Sequence, residues 1–435
     1  MGLLTFQGGI HPPDKKELAK DSPITPAPVP QRVIIPLSQH VGAPCKPVVT
    51  IGQEIKKGQL LGEPTAFVSA PVHSSVAGKV VAIGDFPNAM GRMVTSIVIE
   101  NDGSEEWTSL KDDPDYIKLQ PEVLKEKIKN AGIVGLGGAA FPTAVKLSPP
   151  KEKPIDTVII NGAECEPYLT ADYRLMIERP FEVIEGLRIL MKVLGVNRGF
   201  VGIENNKPDA IERMKEAAAG DRNIEVCSLE VKYPQGAEKM LIKAITGREV
   251  PPRGLPMDVA TVVQNVGTAF AIYEAVRFGK PLIERVVTVT GDGIRKPSNL
   301  MARIGTLVSE LIDYCGGFVN GVGKVIAGGP MMGFALGSLD VPVTKGTSGI
   351  LIIPEEGVIH AEEFKPCIRC GRCIDICPMG LMPSMLSVLA EKGHYEDMKD
   401  YNLFDCFECG SCAFVCPSKR PIVQFIRLGK SLVKP

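Results

Sequence analysis

The sequence predicts a multidomain chain of α/β and β units closed by a small, cysteine-rich helical unit, and three observations predict it. From about residue 115 to 280, helix-type and strand-type segments alternate in βαβαβ order, which argues for a parallel sheet with helices on its faces. On either side, short β-type runs are broken by glycines, the pattern of small barrels and sandwiches. Near the C-terminus the spacing C-x2-C-x2-C-x3-C-P occurs twice.

In chain order, residues 1–31 are rich in Pro and Gly and close on Pro23-Ile-Thr-Pro-Ala-Pro-Val-Pro30, an extended strap. Residues 32–104 carry β-type runs at Arg32–Pro36, Val48–Ile51 and Lys79–Ile83, separated by glycines. Residues 115–282 form the α/β unit, with helices expected over Glu122–Asn130, Phe181–Leu194 and Asp209–Ala219. Its strands are expected over Thr157–Ile160, Phe200–Ile203 and Ile224–Leu229. Val183, Ile184, Leu187, Leu190, Met191 and Leu194 share one helix face, which is the periodicity of a helix packed on a core. Residues 283–353 return to β-rich sequence, opening with Arg285-Val-Val-Thr-Val-Thr-Gly291. Residues 357–435 hold both cysteine runs, with a helix expected near Ser384–Lys392 between them.

Composition narrows the function classes. The 435 residues suggest about three domains, or four if some are small. A net charge of −1 gives no footprint for nucleic acid or anionic lipid. The N-terminus has neither a basic segment nor an apolar core, so no signal peptide is expected. No uncharged apolar stretch approaches the roughly 18 residues of a membrane span. Of 12 cysteines, Cys45, Cys165, Cys227 and Cys315 are scattered outside the runs, which argues against a disulfide framework and for a reducing compartment. The five histidines, 11, 40, 73, 360 and 394, have no metal-type partners at helical spacing and read as surface or packing residues.

The cysteine runs are the bacterial ferredoxin pattern, and two copies imply two [4Fe–4S] clusters. Three thiolates two residues apart wrap one cluster, and the fourth, before proline, ligates its neighbour. The first cluster is therefore assigned Cys367, Cys370, Cys373 and Cys416, and the second Cys406, Cys409, Cys412 and Cys377. Structural zinc favours separated cysteine pairs and suits three evenly packed cysteines poorly.

A second chemical signal lies in the α/β unit. Gly132-Ile-Val-Gly135-Leu-Gly137-Gly138-Ala-Ala-Phe141-Pro-Thr-Ala-Val-Lys146 is a glycine-rich loop leading into an expected helix, a device for holding phosphate. A helix rather than a strand precedes it, so the dinucleotide fingerprint is out of context, and alone the loop reads equally as a tight turn. Asn161-Gly-Ala-Glu164-Cys-Glu-Pro-Tyr168 follows an expected strand end, where ligands of open α/β sheets sit. Tyr233-Pro-Gln-Gly-Ala-Glu238 and Gln264-Asn265-Val-Gly-Thr268 complete the set; taken singly, each reads as a loop.

In combination and order these pieces resemble the flavin- and NADH-binding subunit of respiratory complex I. With Gly8-Gly-Ile-His-Pro12, Gly328-Gly-Pro-Met-Met-Gly333 and the double cysteine run, nearly the whole chain resembles the C-subunit family of the Rnf complexes, ion-translocating ferredoxin:NAD oxidoreductases. The resemblance implies a barrel-sandwich hybrid domain, a Rossmann-like FMN- and NADH-binding domain, a β-grasp domain and an α-helical two-cluster ferredoxin domain, in that order. It implies that Gly135, Gly137 and Gly138 surround the FMN phosphate, with Lys146 near the nucleotide. Asn161, Glu164, Tyr233 and Asn265 would hydrogen-bond the flavin, Phe141 would stack on a dinucleotide ring, and Glu238 would meet the incoming NADH. Ala237 and Gln264 depart from the complex I pattern, which has a second acid and a further asparagine there. The implied partners are the other subunits of a membrane complex, an iron–sulfur electron-transfer subunit among them, at the cytoplasmic face of a bacterial membrane. In the lipoyl-like first domain Thr65-Ala-Phe67 occupies the neighbourhood of the modified lysine, so a swinging-arm role is not expected. Two alternatives stand beside this reading: a soluble FMN/iron–sulfur reductase such as a microcompartment cobalamin reductase, and a non-catalytic electron relay.

Overall fold

The structure, a computed structural model, describes residues 3–319, 321–358 and 364–434; His360 lies outside them. Residues 3–30 run as a strap over three other units. Leu4 bridges Leu229, Ile10 bridges Tyr233, and β1 (Ile24–Pro26) lies parallel to residues 299–301 as an edge strand. Proline cannot donate to a sheet ladder, so a Pro-rich segment of this kind is confined to sheet edges.

The first β unit contains β2 (Arg32–Pro36), β3 (Lys46–Pro47), β4 (Glu54–Ile55), β5 (Leu60–Glu63), β6 (Val72–His73), β7 (Gly78–Pro87) and β8 (Met93–Asn101). They form two antiparallel sheets, β2-β8-β7-β4 and β3-β5-β6. Val33 and Ile35 from β2 and Ile97 and Ile99 from β8 alternate into their shared core, as the two-residue strand period requires. The strand expected at Val48–Ile51 is not formed. Only Val49 of its apolar residues is buried, while Val48 and Ile51 are exposed. The segment turns where Gln53 N–H donates to Thr50 O and Gly52 takes φ 89°.

The α/β unit runs α1 (Pro121–Asn130), α2 (Thr143–Lys146), β9 (Thr157–Asn161), α3 (Ala171–Glu178), α4 (Pro180–Leu194), β10 (Gly199–Glu204), α5 (Pro208–Ala217), β11 (Ile224–Leu229), α6 (Glu238–Thr246), β12 (Thr261–Asn265) and α7 (Val266–Phe278). Its sheet has the order β11-β10-β9-β12, every pair parallel. Residues 157–160 of β9 are all buried, because helices cover both faces. Helix α5 stops at Ala217, two residues short of expectation, where the chain turns at Gly220, φ 86°. Helices α4 and α7 pack closely at Gly186, where any Cβ would lie 2.1 Å from the Ala269 carbonyl oxygen.

The next unit holds β13 (Glu284–Thr290), β14 (Ser298–Arg303), α8 (Val308–Tyr314), β15 (Val322–Ala327), β16 (Phe334–Ala335) and β17 (Gly349–Pro354). In the sheet β1-β14-β13-β17-β15-β16, β13 pairs antiparallel with β14 and parallel with β17. The C-terminal unit places α9 (Arg372–Asp375) and α11 (Ser411–Phe414) within the cysteine runs, and α10 (Pro383–Glu391) and α12 (Ile422–Leu432) against a core of Leu386, Met398, Leu403 and Ile426. No described helix is long and apolar enough to cross a membrane.

Candidate functional site

Parallel pairing in register sets Asn161, at the end of β9, beside Asn265, at the end of β12. The glycine loop lies over this edge. Its Leu136 N–H donates to Thr268 Oγ1 at 2.9 Å, and Gly137 lies beside Asn265, whose Cβ would be 3.5 Å from a Cβ built on that glycine. Asn265 caps α7 by accepting from Gly267 N–H at 2.8 Å and donates to Asp172 Oδ2 at 2.6 Å. From the neighbouring unit, buried Arg285 donates to the Leu136 carbonyl at 3.0 Å. The helix expected after the loop is only the four-residue α2, because Pro149 and Pro150 follow it closely and proline does not continue a helix. The helix terminus beside the glycines is that of α7.

The turn after β9 is held from beneath by two buried lysines. Lys207 Nζ donates to the Ala163 carbonyl and to Glu204, both at 2.9 Å. Lys16, on the strap, donates to the Glu166 carbonyl at 3.0 Å and stands 3.9 Å from the Glu164 carboxylate. Glu164 also accepts from Asp172 and Tyr173 N–H at 2.8 and 3.2 Å, capping α3. Burial pushes the Glu164 carboxyl up to about 7 against the attraction of Lys16. Glu166 is likewise pushed up to about 7 by burial; it accepts from Met331 and Met332 N–H at 3.2 and 2.9 Å.

Loop 233–238 docks on this turn. Asn161 Nδ2 donates to the Gly236 carbonyl at 2.7 Å, and Gly236 N–H faces Cys165 Sγ at 3.3 Å. Glu238 opens α6 and pairs with Lys146 at 2.6 Å, and Lys146 also donates to the Val263 carbonyl at 3.1 Å. Both side chains keep part of their surface open to solvent. Phe141 is half-buried, and its carbonyl accepts from Gly135 N–H at 2.8 Å. The hydroxyl of Tyr233, a residue expected to hydrogen-bond the flavin, donates to the Cys409 carbonyl at 2.6 Å.

In the C-terminal unit Cys377 lines one cavity together with Cys406, Cys409 and Cys412, closed by Leu386 and Ile426. Burial pushes the Cys406 thiol up to about 11, so thiolate ligation there relies on the charge that iron brings. Among the described residues, no three His, Cys, Asp or Glu side chains converge as the ligands of a single ion do. Cys367 and Cys416 are half-buried, Cys373 is buried and Cys370 is exposed.

These residues fit FMN and clusters. A Cβ built on Gly138 meets no protein atom within 4 Å, leaving the loop backbone open to a phosphate. The buried Gln264 Nε2, at the same strand end, has no protein partner. Thr268 closes the piece 264–268 already singled out in the sequence, whereas Lys16, Lys207 and Arg285 join the site without having been expected there. Thr268 follows the Asn cap by three residues, a signal present in the sequence; the other three act across distant chain segments and leave no local pattern.

Comparison with known proteins follows this layout. The RnfC barrel sandwich hybrid domain matches residues 4–104, the Nuo51 FMN-binding domain 128–274, the SLBB domain 286–335 and the 4Fe-4S dicluster domain 366–419. The chain is 53% identical to the C subunit of the proton-translocating ferredoxin:NAD(+) oxidoreductase complex of Clostridium ljungdahlii, over 99% of this chain and 94% of that one. It is 49% identical to the C subunit of the Na(+)-translocating complex of Acetobacterium woodii, over 98% of this chain and 96% of the relative. The C subunit of the ion-translocating oxidoreductase complex of Pseudomonas aeruginosa is 45% identical over 99% of this chain and 56% of its own. Among solved structures, an NAD+-reducing [NiFe]-hydrogenase in the H2-reduced state shares the fold over 75% of this chain and 65% of its own, with a TM-score of 0.51 and 18% identity. The chain belongs to the family of C subunits of ion-translocating ferredoxin:NAD(+) oxidoreductase complexes, the Rnf family.

Proposed function

We propose that this chain is the peripheral electron-transfer subunit of a membrane-bound ion-translocating ferredoxin:NAD oxidoreductase. It is an oxidoreductase subunit with FMN and two [4Fe–4S] clusters as cofactors, and its partners are the other subunits of the complex. When bound, FMN exchanges a two-electron hydride with NADH and single electrons with the clusters. The observation that carries this reading is the convergence of the glycine loop, Asn161, Asn265 and the Lys146–Glu238 pair at one end of the parallel sheet.

The chain's own residues bind and orient. The N–H groups of Gly135 and Leu136 already donate to Phe141 and Thr268, so those of Gly137 and Gly138 would face the phosphate, with the dipole of the α7 terminus added. Asn161 and Asn265 keep their amides at the strand ends through fixed contacts to Gly236 and Asp172. Glu238, held by Lys146 and still partly open, would receive the ribose hydroxyls of the dinucleotide. Glu164, already engaged with α3 and near Lys16, would shape the turn as well as face the flavin.

The finer fold reading belongs to the same proposal. The 3-2-1-4 parallel order supports a Rossmann-like unit over 115–282, and the parallel β13–β17 pair with α8 supports a β-grasp unit over 283–353. The boundaries 32–104 and 357–435 are proposed likewise. Cysteines that are all unpaired among the described residues support a place on the cytoplasmic face.

Anaerobic purification with cofactor analysis and stopped-flow reduction by NADH tests the function. About one FMN and about eight irons per chain, with flavin bleaching ahead of cluster reduction, are expected. Eight irons without flavin and without a response to NADH would leave only a relay.

A further inference from the structure

Tyr233 spans the two redox sites. Its backbone belongs to the loop that carries Glu238, and its side chain is 2% exposed. Its hydroxyl donates at 2.6 Å to the carbonyl of Cys409, which lines the cavity shared with Cys377, Cys406 and Cys412. The strap braces the same joint. Tyr233 exchanges backbone hydrogen bonds with Ile10, both at 2.8 Å, and Gly9 N–H donates to the Ile376 carbonyl at 2.8 Å, one residue before Cys377. From the third side, Glu166 holds Met331, whose carbonyl oxygen lies 3.0 Å from where a Cβ on Gly410 would stand. The Cys409 loop thus meets the flavin unit through Tyr233, and the same run is also held where Arg253 N–H donates to Asp405 Oδ1 at 2.6 Å.

We propose that Tyr233 is a positioning residue for electron transfer, tying the Cys409 ligand loop to the flavin unit and tuning the cluster of Cys377, Cys406, Cys409 and Cys412 through the Cys409 carbonyl. Hydrogen bonds around a cluster set its potential, and groups behind the ligands orient them. One electron leaves the reduced flavin and reduces the cluster; no bond forms or breaks at Tyr233, and its proton stays on the phenol oxygen. The donor side of this inference rests on the flavin reading above; the cluster side does not.

The test is Tyr233→Phe in the full chain, purified anaerobically, with Tyr173→Phe as control. The control removes a hydroxyl that donates to Asp209 at 2.5 Å. In Tyr233→Phe, cluster reduction slows about tenfold relative to the flavin bleaching that precedes it, the lower end of what such supporting groups contribute. In the dithionite-reduced protein, which needs no flavin, the EPR signal that Cys409→Ser removes is shifted and the other is unchanged. Loss of about four of the eight irons in Tyr233→Phe alone also supports the tie. Unchanged EPR with unchanged cluster reduction overturns the proposal, as do the same changes in Tyr173→Phe. A wild-type protein without FMN defeats the functional reading, and the EPR comparison then decides Tyr233 by itself.

Discussion

The two cysteine runs have the same spacing and nearly the same backbone, yet different surroundings. Arg369 and Glu408 take φ 58° and 64°, and Gly371 and Gly410 take 79° and 82°. In both runs an N–H two residues on faces the first sulfur at 3.4 Å. Beyond that the copies part. Cys370 is exposed and Cys409 half-buried. A side chain at Gly371 meets nothing within 4 Å, whereas one at Gly410 meets the Met331 carbonyl. Arg369 is exposed, but Glu408 is paired with Arg427 and Lys430, both at 2.8 Å. A local motif repeats its own geometry, while the Met331 loop and α12 give the second copy surroundings that the first lacks.

The strongest way to break the comparison is to exchange the fourth ligands. Cys377→Ser is expected to damage the second cluster and Cys416→Ser the first, each with loss of about four irons. EPR showing each variant damaging the cluster of its own run would end the crossed assignment. Glu238→Gln moves the test to the flavin end: NADH oxidation should fall by about tenfold or more, given a group that meets the dinucleotide, with FMN content unchanged. Flavin loss in that variant would remove Glu238 from the dinucleotide side.

The glycines sharpen the comparison at lower cost to the protein. Alanine at either Gly371 or Gly410 adds left-handed strain of about 1–2 kcal/mol. Only Gly410→Ala must also displace a backbone carbonyl 3.0 Å away, so its melting temperature should fall further. Equal shifts would mean that the Met331 loop yields freely. Smallest is the charge difference. Glu408→Gln should destabilise by about 1 kcal/mol, as partly exposed ion pairs do, and Arg369→Gln by nearly nothing in the same thermal measurement.

Much of the α/β unit is legible because its helices and strands carry their own periodicity. The helix expected over Phe181–Leu194 lies within one residue of α4. Val48–Ile51 fails as a strand because a run of β-branched residues cannot reveal that two of its members lack anything to pack against. The glycine loop is visible in the sequence, but the helix that serves it is not the next one along the chain. The α7 terminus reaches it only through the sheet order that sets β12 beside β9.

The sequence by itself determined the cluster count, the cysteine backbone and the family, since these rest on residues a few positions apart. Tertiary structure alone decided that Lys16 and Lys207 underpin the turn after β9, and that Tyr233 turns to a cysteine carbonyl 176 residues away. The reason is physical. Covalent spacing and backbone sterics act within a few residues, whereas a buried hydrogen bond is defined by whichever partner folding brings within about 3 Å.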